Sequence, residues 1–152
     1  MIRQATAQDA SRIAEILVFN NRIIYFPIFQ DEMYSFAELQ VVPMAEEYRE
    51  KAVLANTYVY DDGIVRGMIR LDGVEVIKLY VDTFFQGRGI GAKLLEFAIE
   101  NFGVNCLWAL EKNEKAIRFY EKHGFRMTGE KVFEDGTTEY LVRMKQNDSV
   151  IR

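Results

Sequence analysis

Gln86-Gly87-Arg88-Gly89-Ile90-Gly91, continuing into Ala92-Lys93-Leu94-Leu95, is the stretch on which the reading of this chain turns. It follows a run rich in β-branched and aromatic residues, Val74 to Asp82, and opens a helical pattern. Ile90, Leu94, Leu95, Ala98 and Phe102 share one side of that helix, and Gly103 stands just past its end. The first amides of a helix lack intrahelical partners and carry partial positive charge, and glycine lets a phosphate approach the backbone with no Cβ in the way. Three glycines alone would equally serve tight strand-to-helix packing, so context has to decide. A dinucleotide fingerprint needs its glycines at the first strand of a βαβ unit, with an acidic residue about 20 positions on, at the end of the next strand. Here the segment comes late and the next strand ends at Leu110. A phosphate loop needs Gly-Lys-Ser/Thr, and Gly91 is followed by Ala92. Both nucleotide readings fail, which leaves a strand–turn–helix built for a pyrophosphate in another setting.

Outward from the turn, Asn105 to Leu110 reads as a strand. Asn113 is a plausible N-cap for a second helix, which stops at Gly124 with Phe125 beyond. A strand, a crossover helix and a neighbouring strand imply a parallel pair. Three Asp-Gly pairs, Asp62-Gly63, Asp72-Gly73 and Asp135-Gly136, each sit between strand-like runs and signal hairpins. They predict antiparallel strands at Thr57 to Asp61, Ile64 to Leu71, Val74 to Asp82, Arg126 to Glu134 and Thr137 to Met144. Upstream, Ile2 to Arg3 can open as a short strand. Thr6 with Asp9 resembles a capping box for a helix whose stripe is Ala10, Ile13, Ala14 and Leu17. Ile23 to Phe36 is aromatic and poorly periodic, and a helix is expected from about Pro43 to Leu54. The fold class is mixed α+β (mixed α/β): a mostly antiparallel sheet with one parallel pair and helices on both faces.

Composition narrows the function. The chain has 152 residues, 49% hydrophobic and 28% charged, which is ordinary for one globular domain, and no linker or repeat divides it. The expected organisation is a single domain over residues 1–146 and a short tail over 147–152. Asn147-Asp148-Ser149 is a formal glycosylation sequon, without meaning in a chain that shows no secretory signal. The apolar run from Ile13 to Phe19 is broken by Glu15 and lacks a basic flank and a cleavage site, so a cytoplasmic location is expected. Cys106 has no partner cysteine, and with His123 the only histidine no metal-ligand cluster is expected. The net charge of −4, with scattered basic residues, gives no attraction to nucleic acid or to an anionic membrane. Nothing fixes the oligomeric state, and a homodimer stays open.

Gln86 to Gly91 fits the signature Q/R-x-x-G-x-G/A with Leu79-Tyr80-Val81 as the preceding strand end, and Asn113, Ala116, Phe119-Tyr120 and Gly124-Phe125 follow in order. In both motifs, and in element order from Ile2 to Met144, the chain resembles the GNAT superfamily of acetyltransferases. The resemblance implies the GNAT fold: a twisted central sheet whose parallel strand pair is splayed, with acetyl-CoA as cosubstrate and an amine as acceptor. It further implies that Leu79 and Val81 pair with the pantetheine arm through their backbone and that the amides of Gly87 to Gly91 take the pyrophosphate. Gln86, Gly87, Arg88, Gly89, Gly91, Asn113 and Tyr120 are thereby expected around the cofactor. Arg88 either adds charge there or stays solvated; Asn113 caps its helix, contacts the cofactor, or does both.

Acetyl transfer from a thioester requires a neutral amine, stabilisation of an oxyanion and a proton for the departing thiolate. A thiol has a pKa near 8.5 and a phenol one near 10, so a tyrosine is a weak but usable donor in a dry site. By the resemblance Tyr120 is that donor; the bland alternative is a tyrosine packed on the helix face. A backbone N–H near Val81 could polarise the carbonyl. Glu75 matches the strand position of the glutamate base in the histone-acetylating branch, and by strict alternation it shares strand parity with Val81. Otherwise it is an exposed carboxylate beside the Asp72-Gly73 turn. The position five before Asn113, glutamate in the ribosomal-protein branch, is Trp108. The function expected is direct acetyl transfer to a primary amine of a small molecule or peptide. The alternative is a non-catalytic acyl-CoA-binding or sensing domain.

Overall fold

Side chains of the strand Val65–Asp72 (β3) alternate between two cores and so define the two faces of the sheet. Met68 packs on one side with Val59 and with Ile13, Ile16 and Leu17 of the first long helix; Ile69 and Leu71 pack on the other with Leu94, Leu95 and Ala98. A computed structural model of the chain describes residues 1–147. Its other strands are β1 (Ile2–Gln4), β2 (Thr57–Asp61), β4 (Glu75–Val81), β5 (Cys106–Leu110), β6 (Phe125–Phe133) and β7 (Tyr140–Gln146). They form one sheet in the order β1-β2-β3-β4-β5-β7-β6, antiparallel throughout except for the parallel pair β4–β5. Helices α1 (Ala10–Phe29), α2 (Val41–Glu47) and α3 (Lys51–Leu54) lie towards one face. Helices α4 (Ile90–Phe102) and α5 (Glu114–Lys122) lie towards the other. Fully burying a leucine such as Leu94 or Leu95 contributes about 1.5–3 kcal/mol, so two apolar stripes hold α4 and α1 to opposite faces.

Several boundaries differ from expectation for identifiable reasons. The first helix does not fade at Ile23. It continues through Pro27, near its end, to Phe29, and stops where Gln30 turns left-handed (φ 55°) and returns its amide to the Phe26 carbonyl at 2.8 Å. Apolar residues on all sides of this last stretch hid its period. Met33–Glu38 then forms a short π-helical turn. The single helix expected from Pro43 to Leu54 is two: α2 begins at Val41, and Glu50 leaves the helical region (ψ 132°) before α3 begins. Strand β7 starts at Tyr140 rather than Thr137, because the Thr137 amide and hydroxyl both bond the Glu134 carbonyl and extend the turn. The glycine stops are as expected, with Gly103 and Gly124 at φ 65° and 89°. From 148 on, the expected tail and two residues of the sequon lie outside the described residues. No helix among the described residues is long and apolar enough to cross a membrane.

The start of α1 is fixed by charge. Arg3 of β1 forks onto both oxygens of Asp9 at 2.8 and 2.9 Å and reaches Asp61 of β2 at 3.1 Å. The Asp9 carboxylate also accepts the Thr6 amide at 2.8 Å. The Arg3 hydrogen bonds hold the buried Asp9 carboxyl below its ordinary range despite the cost of burial. A group whose folded-state pKa is depressed stabilises the fold above its unfolded pKa and loses that contribution as pH falls through the folded value. Asp9→Asn is therefore expected to lose about 1–3 kcal/mol at pH 7. In urea melts the gap between parent and variant should close below about pH 3.9, the ordinary carboxylate range.

Candidate active site

The parallel pair is short. β4 and β5 are in register only at Glu75/Cys106 and Val76/Leu107; beyond that β4 stays on β3, while β5 stays on β7 as far as Leu110/Leu141. Asp82 donates to the Arg66 carbonyl at 2.9 Å on the β3 side. By the alternation of an antiparallel ladder, Leu79 and Val81 therefore turn their main-chain groups towards the gap. A cavity of about 1450 Å³ occupies that gap and extends from the glycine turn to Tyr25 and Tyr34.

One group at this strand end is already satisfied. The Val81 carbonyl accepts from Asn20 Nδ2 of α1 at 3.0 Å and from Gln86 Nε2 at 3.1 Å, and Gln86 also donates to Asn20 Oδ1 at 3.2 Å. Asn20 is only 2% exposed and anchors itself by a bond to the Ile16 carbonyl at 2.8 Å. The side chain of Gln86 is thus used to brace the strand end. Asn20 was not anticipated, although a polar residue one turn after Ile16, on a core-facing stripe, is the signal that could have found it.

The turn itself has the shape that the glycines foretold. Gly87 and Gly89 lie at φ +80° and +79°, and a Cβ at either would point into open space. The first amides of α4, from Ile90, Gly91 and Ala92, precede the first intrahelical bond, that of Lys93 to the Gly89 carbonyl at 3.0 Å. Gly91 differs: a Cβ there would sit 3.6 Å from both Phe119 and Val81, an ordinary contact, so α4 lies against both β4 and α5 at this point. Arg88 is exposed, with its guanidinium 5.2 Å from the centre of the Phe85 ring.

From the other side of the gap α5 presents the second motif. Asn113 caps the helix, accepting the Ala116 amide at 3.4 Å, and also lines the cavity. Tyr120 lines the same cavity and packs edge-on against Phe119 and Phe125, with centroids at 5.2 and 5.8 Å. Burial raises its pKa, so the phenol keeps its proton at neutral pH. Tyr80 of β4 donates to the Tyr25 hydroxyl at 3.1 Å, and burial raises both of these phenols as well. Sequence reasoning missed this pair and Lys78, because nothing in the poorly periodic aromatic segment told which ring would meet β4.

Glu75 calls for a correction. Arg70 pairs with Lys78 but Leu71 pairs with Val76, so Ile77 is an extra residue and a β-bulge breaks the alternation. Glu75 therefore lies on the face opposite Val81, at the far end of β4. It is ion-paired to Arg143 at 3.3 Å and is not among the residues lining the cavity. Arg143 in turn lies over the Trp108 ring at 5.1 Å. The structure brings Leu79, Val81, Gln86, Gly87, Gly89, Gly91, Asn113 and Tyr120 to one cavity and leaves Glu75 and Arg88 out of it.

Residues 54–127 match the family model described as acetyltransferase (GNAT) domain. The chain carries a GNAT domain. It is 33% identical over 102 residues to an uncharacterised N-acetyltransferase from Lactobacillus delbrueckii subsp. lactis, covering 54% of this chain and 59% of that one. It is also 33% identical over 69 residues to the peptidyl-lysine N-acetyltransferase YjaB of Escherichia coli, covering 45% and 47%. The chain thus spans about half the length of these curated relatives. The PaiA N-acetyltransferase of Thermoplasma acidophilum, solved in complex with coenzyme A, superposes with a TM-score of 0.69 at 18% identity, over 95% of this chain and 98% of that one. At such identity the likeness is one of fold, and the fold is the GNAT fold, with its sheet opened between β4 and β5.

Removing one partner of a buried hydrogen bond costs about 1–3 kcal/mol when the other is left unsatisfied. Asn20→Ala should therefore lower stability by that amount and speed hydrogen exchange at the end of β4, from Leu79 to Asp82. Unchanged exchange there in a folded variant would show that the strand end is held by other contacts.

Proposed function

We propose that this protein transfers an acetyl group directly from acetyl-CoA to a primary amine. The reading rests on one juxtaposition: a strand end with unpaired amides, a left-handed glycine turn at a helix N-terminus, and a protonated tyrosine all face one cavity. The residues fit the cosubstrate. The space in front of Gly87 and Gly89 is where a Cβ would otherwise stand, and the first amides of α4 are donors suited to a pyrophosphate. Leu79 and Val81 would hold the pantetheine amides, and Asn113 would flank them. Gln86 acts through the Val81 carbonyl and Arg88 as a solvated charge at the mouth. The names of the relatives support the class of chemistry, and that of YjaB supports an amine acceptor such as a peptidyl lysine.

When bound, acetyl-CoA supplies an activated acetyl thioester. An unpaired backbone N–H near Val81 polarises the thioester carbonyl, and Tyr120 Oη holds the proton that the sulfur needs as the C–S bond breaks. Burial lifts the phenol, but it lifts the thiol too, since both anions lose solvation, so the transfer is not made prohibitive. No residue of the chain has to be acylated. With Glu75 turned away, the acceptor's proton leaves by another route, through the open mouth of the cavity to solvent. The site belongs to one domain, 1–146, acting where acetyl-CoA is made available, in the cytoplasm.

Two measurements test this reading. Gly89→Ala places a side chain at a left-handed position, costs about 1–2 kcal/mol of stability, and should weaken acetyl-CoA binding at least tenfold by calorimetry; unchanged affinity in a folded variant would sink the turn's assignment. Tyr120→Phe keeps the ring and removes the proton. It should lower kcat roughly 100-fold with acetyl-CoA affinity intact, whereas Glu75→Gln should stay within a few-fold of the parent. A protein that binds acetyl-CoA but releases no thiol with any amine would instead be the non-catalytic acyl-CoA-binding domain.

A further inference from the structure

The cavity is longer than a cosubstrate turn requires, and its far end has a charge that the proposed mechanism does not use. Past the bulge at Ile77 the β4 side chains of Lys78 and Tyr80 share the face opposite Leu79 and Val81, the face on which α1 lies. Lys78 lines the cavity there, in a wall that also includes Tyr25, Tyr34, Tyr80, Trp108 and Glu134. The lysine is half-buried, and among the described residues it makes no hydrogen bond and no ion pair.

Its charged neighbours do not neutralise it. Glu47 of α2 is committed to Arg70 of β3 at 2.6 Å, and Arg70 itself adds positive charge beside Lys78. Glu134, at the turn after β6 and lining the same cavity, attracts Lys78 without reaching ion-pair distance. The balance is visible in the lysine's own equilibrium: burial lowers its pKa, and the attraction of Glu47 and Glu134 does not make up the loss. A half-desolvated ammonium with no partner is costly, and a carboxylate brought in by a ligand would recover the cost through charge-assisted hydrogen bonds. A polyamine would meet the opposite situation, a like charge in a low-dielectric wall.

We infer that the acceptor is an amine that also carries a carboxylate, with Lys78 binding the carboxylate and the rings of Tyr25, Tyr34 and Trp108 covering the apolar body between the two ends. Glu134, of opposite sign and in the same wall, favours the ammonium end of such a zwitterion on entry. The inference rests on the acetyl-transfer reading for the fate of the amine, but the carboxylate site itself does not depend on turnover.

The test separates the two. Calorimetry on the intact protein compares 3-phenylpropionate, the deaminated form of an aromatic amino acid, with 3-phenylpropionamide, which matches it in shape and lacks the charge. The carboxylate should bind at least tenfold more tightly than the amide. Lys78→Met should abolish the difference, and Lys78→Arg, which keeps the cation, should retain most of it. Equal affinities in the parent, undetectable binding of the carboxylate, or a preference that survives Lys78→Met would overturn the assignment. Thiol release is then measured with phenylalanine, phenylalaninamide and spermidine. A kcat/KM for the amino acid at least tenfold above both others in the parent, and lost in Lys78→Met, is the expected result; a preference for spermidine would overturn it. No thiol release with any amine would count against acetyl transfer, while the calorimetry would still decide whether Lys78 reads a carboxylate.

Discussion

The structure depends on a pairing that is not made. Two parallel strands that begin in register at Glu75/Cys106 separate after one further residue pair, and every other feature of the site follows from that separation. Open main-chain groups in a protein interior are costly unless something completes them. Here the cost is met in two ways. The Val81 carbonyl is satisfied permanently by Asn20 and Gln86, which join α1, β4 and the start of the glycine turn in one small network. The amides of Leu79 and Val81 remain directed into the cavity, available to a ligand with amide groups of its own.

The glycine turn and Tyr120 then face the same opening for geometric reasons. α4 begins at the end of the turn that follows β4, so its N-terminus lies at the mouth of the gap, where Gly91 faces Phe119 of α5 and Val81 of β4. The Asn113 cap starts α5 just past the end of β5, on the other lip, and about two turns later the helix delivers Tyr120. The proposed chemistry thus draws on the two strand ends and the two helices that follow them, while α1 contributes the brace and the aromatic wall.

Much of this was legible in the sequence, and the reasons for the rest are specific. Short-range chemistry read well: the Asp-Gly pairs gave the hairpins, Gly103 and Gly124 the helix stops, Asn113 the cap, and the order of strand, turn and helix gave the parallel pair. The bulge at Ile77 did not, because Glu75-Val76-Ile77-Lys78 carries no glycine or proline to mark it. Strict alternation put Glu75 on the wrong face and left Lys78 unnoticed. The extent of α1 beyond Ile23 and the meeting of Tyr25 with Tyr80 were equally hidden, since they are set by tertiary packing rather than by a local pattern. Errors of this kind fall on the face of the sheet that carries α1, where the structure adds most.

The central claim, that the opening between β4 and β5 is completed by the backbone-like arm of acetyl-CoA, is tested most directly by amide hydrogen exchange with and without that ligand. The account predicts that Leu79 and Val81, together with the first amides of α4, gain protection on adding acetyl-CoA, while Lys78 and Tyr80, already paired to β3, change little. Protection confined to other parts of the chain, or none at the end of β4, would contradict it.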